Sequence, residues 1–170
     1  MADYNAWMNK NIYATARQLT PAEISADRGA FFGSILATLN HLVVADTIWL
    51  KRFANHPTGF SSSADINSLP NPASLDEILH RSIEELWPAR QAMDQLINRF
   101  VAEISDSDLT VPLEYTNTQG KSYKKNFISL LSHLFNHQTH HRGQVCTLLT
   151  QSGLNVGVTD LLVRIPDVPH

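Results

Sequence analysis

Apolar residues recur at three- and four-residue spacing in long stretches of this chain, as they do on the buried side of an amphipathic helix. The spacing predicts four helices, over residues 3–19, 33–53, 74–104 and 126–151. Ser74 followed by Glu77 has the pattern of a capping box, which predicts the start of the third helix. Pro88 lies inside that third stretch and predicts a kink or a break near Trp87.

The segments between the predicted helices are polar or rich in proline. Residues 56–72 hold three prolines and a serine run, and a loop of this length favours a lid or a binding loop. The sequence leaves open whether residues 54–73 are ordered. Apolar residues then recur at every second position over 111–115 and a turn follows at 117–120, which predicts a short β-hairpin. A last turn or short helix is expected at 159–163.

Four amphipathic helices can bury their apolar stripes only against one another. We therefore expect an all-α fold, a four-helix bundle with a small β-hairpin inserted before the fourth helix. A length of 170 residues fits one domain, so residues 1–170 are expected to form a single helical-bundle domain. With 43% hydrophobic and 17% charged residues, the composition excludes an intrinsically disordered chain.

Charge and cysteine content indicate which partners and which cellular compartment to expect. Thirteen Lys and Arg residues against sixteen Asp and Glu give a net charge of −3, which argues against nucleic-acid binding. The one compact basic cluster, Lys121, Lys124 and Lys125, is explained by a solvated turn. No apolar run reaches the roughly 18 residues of a membrane span, and the first residues do not resemble a signal peptide. The single cysteine, Cys146, makes the cytoplasm the expected location.

Histidines are concentrated in the predicted fourth helix. Four of the eight, His133, His137, His140 and His141, fall within nine residues. At roughly 100° per residue, a helical wheel places His141 inside the apolar stripe and His137 at its edge. His133 and His140 lie well outside the stripe, so they are expected to face solvent or a neighbour.

Two adjacent inward histidines favour a metal site over a plain hydrophobic core. A buried imidazole must satisfy its ring nitrogens while it stays neutral, and a metal ion does this for both rings. A tight site needs a third ligand from another helix. The sequence leaves His41, His80, Asp46 and the glutamates of the third helix as candidates. His41 stands in the most apolar stretch of the chain, whereas His80 is expected to be exposed.

Motifs for several other chemistries are absent from the sequence. Gln138 stands where the zinc-protease pattern HExxH has its glutamate, so the helix carries no built-in general base. The glycine patterns of nucleotide-binding loops and of serine hydrolases are also missing. A histidine site is expected to lose its metal as the pH falls below about 6.5, because protonated imidazole does not bind metal.

Four further residues on the second and fourth predicted helices have expected roles around the histidines. Asp46 is expected either to accept a hydrogen bond from a ligand histidine or to be a helix-surface acid. Arg142 could hold an anionic substrate or contact another helix, and an ordinary salt bridge is favoured. Gly143 is expected to let another helix pack closely, and Cys146 to pack near the core as a small apolar residue.

Three stretches, at residues 4–9, 40–50 and 136–144, resemble the DinB-like family, also called the damage-inducible or YfiT-like family, of four-helix metal proteins. The tail at 159–161 supports the resemblance, which spans nearly the whole chain. The stretch Asn-His-Gln-Thr-His-His-Arg-Gly-Gln on the fourth helix is the most specific. The resemblance implies an up-down-down-up bundle with a three-histidine metal site made of His41, His137 and His141.

The resemblance also implies a chemistry. The expected cofactor is one divalent transition metal per chain, nickel or zinc, with water completing its coordination and a homodimer as the assembly. The expected function is that of a metal-dependent enzyme activating a thiol or water, either an S-transferase or a hydrolase, with a low-molecular-weight thiol and a small electrophile as partners. Bacillithiol, mycothiol and glutathione are the thiols that relatives use. The alternatives are a non-catalytic metal-binding or metal-stabilised dimeric protein and a plain helical interaction module.

Overall fold

A computed structural model describes residues 1–168 of the chain. Four long helices carry the fold, and shorter elements connect them. In chain order the elements are α1 (Ala2–Ala16), α2 (Pro21–Ser25), α3 (Ile35–Phe53), α4 (Ser63–Ser68), α5 (Ile83–Glu103), α6 (Asp106–Leu109), β1 (Pro112–Thr116), β2 (Ser122–Asn126), α7 (Phe127–Gln151) and a closing 3-10 helix (Leu161–Arg164). The predicted first, second and fourth helices match α1, α3 and α7 to within three residues at either end.

The long helices form a bundle in which α1 and α3 each pack against both α5 and α7. Side-chain pairs give the helix directions. Asn5 and Tyr13 of α1 meet Asp94 and Trp87 of α5, so these two helices are antiparallel. The pairs Asp46–Arg90 and Phe53–Phe100 make α3 parallel to α5, and the pairs His41–His141 and Phe53–Phe127 make α3 antiparallel to α7. The bundle is therefore up-down-down-up, and the predicted all-α fold is confirmed.

One hydrophobic cluster runs through the bundle within the described residues. Each long helix contributes fully buried side chains to it, for example Ile12, Leu39, Phe100 and Leu149. Burying such side chains stabilises the fold by about 1.5–3 kcal/mol each. This core holds α3 and α7 side by side, which fixes the position of the histidines that the two helices carry.

The third long helix begins later than the sequence predicts. Ser82, not Ser74, caps α5, because its side chain accepts a hydrogen bond from the backbone N–H of Glu85 at 3.2 Å. The predicted capping residue Ser74 instead donates to Asp76. The side-chain amide of Asn40 bonds both backbone groups of His80, and these long-range bonds hold the segment before α5 out of the helix.

Pro88 lies within α5, and the helix continues through it from Ile83 to Glu103. The helix therefore does not break near Trp87, and the predicted alternative, a kink, stays a prediction. Pro88 is the sixth residue of the helix, so its ring removes only one backbone hydrogen bond close to the helix start. Burial of Leu86 and Met93 on either side holds the helix in place.

The connection over residues 56–72 contains α4 and is anchored to the bundle. Phe60 and Ile66 are buried in the core, and the backbone N–H of Ser62 donates to the carboxylate of Glu103. None of these connecting residues lines the clefts around the clustered histidines. The connection is thus a packed segment on the α3–α5 side and does not form a lid over the histidines. Its residues 65–70 help to line a separate cleft of about 550 Å³ between α3 and α5, so the binding-loop alternative stays a prediction.

The predicted β-hairpin and the short element near the end of the chain are both present. Strands β1 and β2 pair antiparallel, with Tyr115 opposite Tyr123. The predicted last turn is the 3-10 helix, and the hydroxyl of Tyr4 donates to the carbonyl of Thr159 at 2.6 Å just before it. In the described residues, no helix combines the length and the hydropathy needed to cross a membrane.

Candidate metal centre

Three histidines from two helices meet between the first half of α3 and the middle of α7. His41 comes from α3, and His137 and His141 come from successive turns of α7. One ring nitrogen from each of the three lies within 4.8 Å of the others. His41 and His141 are buried and His137 is half-buried, as the helical wheel predicted for the α7 pair. The structure therefore brings together the three residues that the family resemblance implied.

Hydrogen bonds fix how the rings of His41 and His141 are oriented. The Nδ1 of His41 lies 2.7 Å from the carbonyl oxygen of Leu75, which accepts its proton. The Nδ1 of His141 lies 2.8 Å from the Oε1 of Gln144. A histidine that donates through Nδ1 carries a lone pair on Nε2. Both rings are therefore held in the form that binds a metal through Nε2.

The third ring, that of His137, faces the first. Its Nε2 lies 3.2 Å from the Nε2 of His41, and its buried Nδ1 has no hydrogen-bond partner in the described chain. Two metal–nitrogen bonds of about 2.1 Å at a tetrahedral angle separate their nitrogens by about 3.4 Å. The spacing and the lone pairs of the donor set thus fit a transition metal.

The electrostatics of the centre keep the three rings neutral. Burial lowers the pKa of His137 to about 3, and the neighbouring His141 and His41 add to the shift. Burial also lowers the pKa of His41 and of His141. Neutral imidazole is the form that binds metal, so the lowered pKa values favour the metal-binding form of all three rings in the folded chain.

Phe32 is a part of the centre that sequence reasoning missed. Its ring stacks on His41 with 3.9 Å between centroids and meets His141 edge-on at 5.5 Å. Phe32 precedes α3 in an irregular segment, where no periodicity could have marked it. The carbonyl of Leu75 carries no sequence signal either, because any residue can supply a backbone acceptor.

The other histidines weighed as ligands are not members of the three-histidine cluster in the described chain. His133 and His140 are exposed on α7, as the wheel predicted. The Nε2 of His140 lies 3.2 Å from the Nε2 of Gln144, and its ring meets that of His141 edge-on at 4.8 Å. His133 packs edge-on against Trp49 at 4.9 Å. His80 is half-buried rather than exposed, since its backbone is bonded to α3, and it is not part of the cluster.

Asp46 does not contact a ligand histidine. Its carboxylate is fully buried and pairs with Arg90 at 2.6 Å, and Arg90 also lies 2.9 Å from Asp94. Asn5 and Asn9 of α1 donate to the same Asp94. Both alternatives for Asp46 are therefore wrong, because it belongs to a buried ionic network that joins α1, α3 and α5.

Arg142 forms the helix contact that was an alternative to the favoured salt bridge, and Gly143 differs from expectation. Arg142 is buried and donates to the side chains of Asn5 and Thr139, so among the described residues it forms a helix contact and no salt bridge. Gly143 is exposed, and a Cβ placed there would meet no atom within 4 Å. No helix packs on it in the described chain. Cys146 is half-buried against the core, as expected.

Two clefts open on either side of the three histidines. The first, of about 470 Å³, is lined by His41 and His137 together with residues of α3 and the β-hairpin. The second, of about 640 Å³, is lined by His41 and His141 together with Phe31, Phe32 and Gln144. Both volumes suit small molecules. The centre is thus open to ligands from two directions.

Comparison with known proteins agrees with this architecture. The profile of the DinB family matches residues 1–166. The chain belongs to the DinB family. The match includes the three stretches at residues 4–9, 40–50 and 136–144.

Two proteins similar to this chain carry DinB names. It is 26% identical to Protein DinB of Bacillus subtilis (strain 168) over 161 residues, which cover 93% of this chain and 87% of that protein. The crystal structure of a DinB-like protein from Bacillus cereus ATCC 10987 superposes with a TM-score of 0.53 at 23% identity, covering 89% of both chains. The second comparison supports the fold alone.

Proposed function

We propose that His41, His137 and His141 bind one divalent transition metal per chain, nickel or zinc, and that the centre activates a thiol or a water molecule toward a small electrophile. The observation that carries this proposal is the set of three neutral rings whose nitrogens converge within 4.8 Å. Imidazole suits both metals. A bound metal of this kind lowers the pKa of a thiol or water that coordinates it.

The residues of the chain would supply binding and orientation. Leu75 and Gln144 hold the Nδ1 protons of His41 and His141, which keeps the Nε2 lone pairs aimed at the centre. Phe32 covers one face of His41 and limits the access of water to it. Three protein ligands leave positions for an exchangeable group, which is the pattern of catalytic rather than structural metal sites.

The two clefts support an enzyme over a purely structural metal protein. A structural site is closed by its fourth protein ligand, whereas this cluster holds three ligating side chains in the described chain. Each cleft reaches two of these histidines, so two reactants have room to approach the same centre.

The test is thiol-dependent turnover of the metal-loaded protein. We expect zinc- or nickel-loaded protein to accelerate substitution of the chlorine of 1-chloro-2,4-dinitrobenzene by glutathione, bacillithiol or mycothiol, or else hydrolysis of 4-nitrophenyl acetate. EDTA treatment and His141→Ala should abolish the rate, and His80→Ala, whose histidine lines neither cleft, should keep it. Equal rates with and without metal for every thiol and for the ester would contradict the enzymatic proposal and favour a non-catalytic metal protein.

Two parts of the proposal rest on sequence-based expectation. The family resemblance favours a homodimer, and the single cysteine favours the cytoplasm. Light scattering on the purified protein tests the homodimer. A measured mass of one 19.0 kDa chain would contradict it. Fractionation of the source cells tests the cytoplasmic location. Recovery of the protein outside the cytoplasmic fraction would contradict it.

A further inference from the structure

The cleft between α3 and the β-hairpin carries positive charge beside the histidines. Arg52 of α3 and Lys125 of β2 both line it, together with His41 and His137. Within the described residues, no Asp or Glu lines this cleft. Neither cation forms an ion pair in this part of the chain, although Arg90, Arg99 and Lys124 all do.

Arg52 is held in place without a carboxylate partner. Its guanidinium lies 4.5 Å from the ring centre of Trp49 and 5.1 Å from that of Tyr115, so two aromatic side chains fix the plane of the group. The side chain is half-buried, and burial lowers its pKa. Aromatic contacts leave the five N–H donors of a guanidinium free for an oxyanion.

The hairpin separates Lys125 from the lysine next to it. Successive residues of a strand point to opposite faces. Tyr123 and Lys125 line the histidine cleft, whereas Lys124 faces the other side and pairs with Glu114 at 2.8 Å. The basic cluster that the sequence explained as a solvated turn is therefore split, and one of its charges is turned toward the centre.

A short chain of rings connects the cations to the histidines. The guanidinium of Arg52 lies over Trp49, whose ring meets His133 at 4.9 Å, and His133 lies 5.9 Å from His137. Arg52 and His41 are eleven residues apart on α3, about 16 Å along the helix. An elongated molecule with an anionic group at Arg52 would therefore reach the histidine cluster with its other end, whereas a molecule of one ring would occupy only the Arg52 end of the cleft. The aromatic lining from Trp49 and Tyr115 suits a flat or apolar body between the two ends.

We propose that this cleft binds a small organic oxyanion, with Arg52 and Lys125 holding its carboxylate or phosphate and its body directed at the three histidines. The inference deepens the proposed function and rests on it for the idea that the bound molecule is a substrate. The binding of the anion itself depends only on the two cations and the aromatic lining. Arg52 is the specificity-determining residue, and Lys125 adds attraction at the exposed rim.

The experiment compares charged and neutral probes of one shape. We would titrate benzoate, phenyl phosphate and benzamide into the metal-loaded protein and into the EDTA-treated protein by calorimetry. We expect at least one of the two anions to bind more tightly than benzamide in both samples. The tighter of the two identifies the oxyanion. Arg52→Gln should weaken binding of that anion by about tenfold or more, the usual loss for a hydrogen bond to a charged group, and should leave benzamide unchanged.

Matched variants separate anion binding by Arg52 from a purely structural role of this residue. Lys124→Gln and Arg99→Gln remove one charge each outside the cleft and should bind the anion like the wild type, whereas Lys125→Gln should bind it more weakly. Arg52→Lys should restore part of the affinity. Equal binding of anions and benzamide, no binding of either anion, or an equal loss for all probes in Arg52→Gln would overturn the inference.

The EDTA-treated sample keeps the two proposals distinguishable. If the anion preference persists there and depends on Arg52, the oxyanion site stands even when the protein fails to bind nickel or zinc. If the protein binds metal but Arg52→Gln binds the anion like the wild type, the oxyanion inference fails and the proposed metal function stands.

Discussion

Each histidine of the centre is held by a different neighbour. A backbone carbonyl holds His41, a side-chain amide holds His141, and the packing of two other imidazoles surrounds His137. The last arrangement has the largest electrostatic consequence, because a charge on His137 would lie among partly buried rings. The neutral state of His137 is therefore the most strongly imposed of the three.

Metal-free protein should lose stability as the pH falls from 7.5 to 5. The pKa of His137 is about 3 in the folded chain against an ordinary value of 6.5, so the unfolded chain binds more protons between these values. Stability then rises with pH across that window and falls on acidification. His137→Gln should show a shallower pH dependence of the free energy of unfolding in urea with EDTA present. An unchanged slope in this variant would contradict the shifted pKa.

The same shifts correct the pH expectation drawn from the sequence. An ordinary histidine starts to protonate near pH 6.5, and the sequence therefore predicted loss of metal below that value. In the folded chain burial lowers the pKa of all three histidines. Protons therefore compete with the metal only at a lower pH, as long as the bundle stays folded.

At the scale of elements, buried charge ties the helices in register. Arg90 of α5 is fully buried between Asp46 of α3 and Asp94 of its own helix, and α1 reaches Asp94 through Asn5 and Asn9. Because α3 carries both Asp46 and His41, the position of this network also sets where His41 lies along α7.

Arg90→Met should destabilise the bundle by about 3–5 kcal/mol, because it leaves buried carboxylates without a partner. Arg99→Met is the matched control, since Arg99 also lies on α5 and pairs with Asp65, but both side chains are about 60% exposed. An exposed pair contributes about 0–1 kcal/mol. The check is the free energy of unfolding in urea at equal metal content. A similar small loss for both variants would contradict the role given to the network.

The sequence predicted elements whose signals are local and missed those set by tertiary contacts. The apolar stripe of α7 is sufficient to choose His137 and His141 over His133 and His140. The start of α5 could not be predicted in this way, because the side chain of Asn40 bonds the backbone of His80 forty residues later. Periodicity likewise could not choose the third ligand, because α3 has buried residues on nearly all of its sides.

The sequence contains a partial signal for the ion pair between Arg90 and Asp94 of α5. Arg90 and Asp94 stand four residues apart, a spacing that predicts an ion pair on one helix face. The pattern cannot tell a buried pair from an exposed one, and Asp46 belongs to another helix. The oxyanion cleft was hidden for a similar reason. Arg52 and Lys125 are far apart in sequence and meet only when the hairpin folds onto α3.

At the scale of the whole molecule, helix order brings the three histidines of the centre together. The up-down-down-up arrangement sets α3 antiparallel to α7, so His41 near the start of α3 meets the middle of α7. The β-hairpin and the segment before α3 then form the walls of the two clefts. The bundle supplies a fixed centre, and the connecting segments supply the surfaces that choose its ligands.

The most direct test of this account is the metal content of protein purified without an affinity tag. Wild-type protein should hold about one nickel or zinc per chain, and His41→Ala, His137→Ala and His141→Ala should each lose most of it. His133→Ala and His80→Ala are the controls, because both histidines lie outside the cluster, and they should keep the wild-type content. Wild-type protein that holds no metal and takes up none from added zinc or nickel would contradict the central claim.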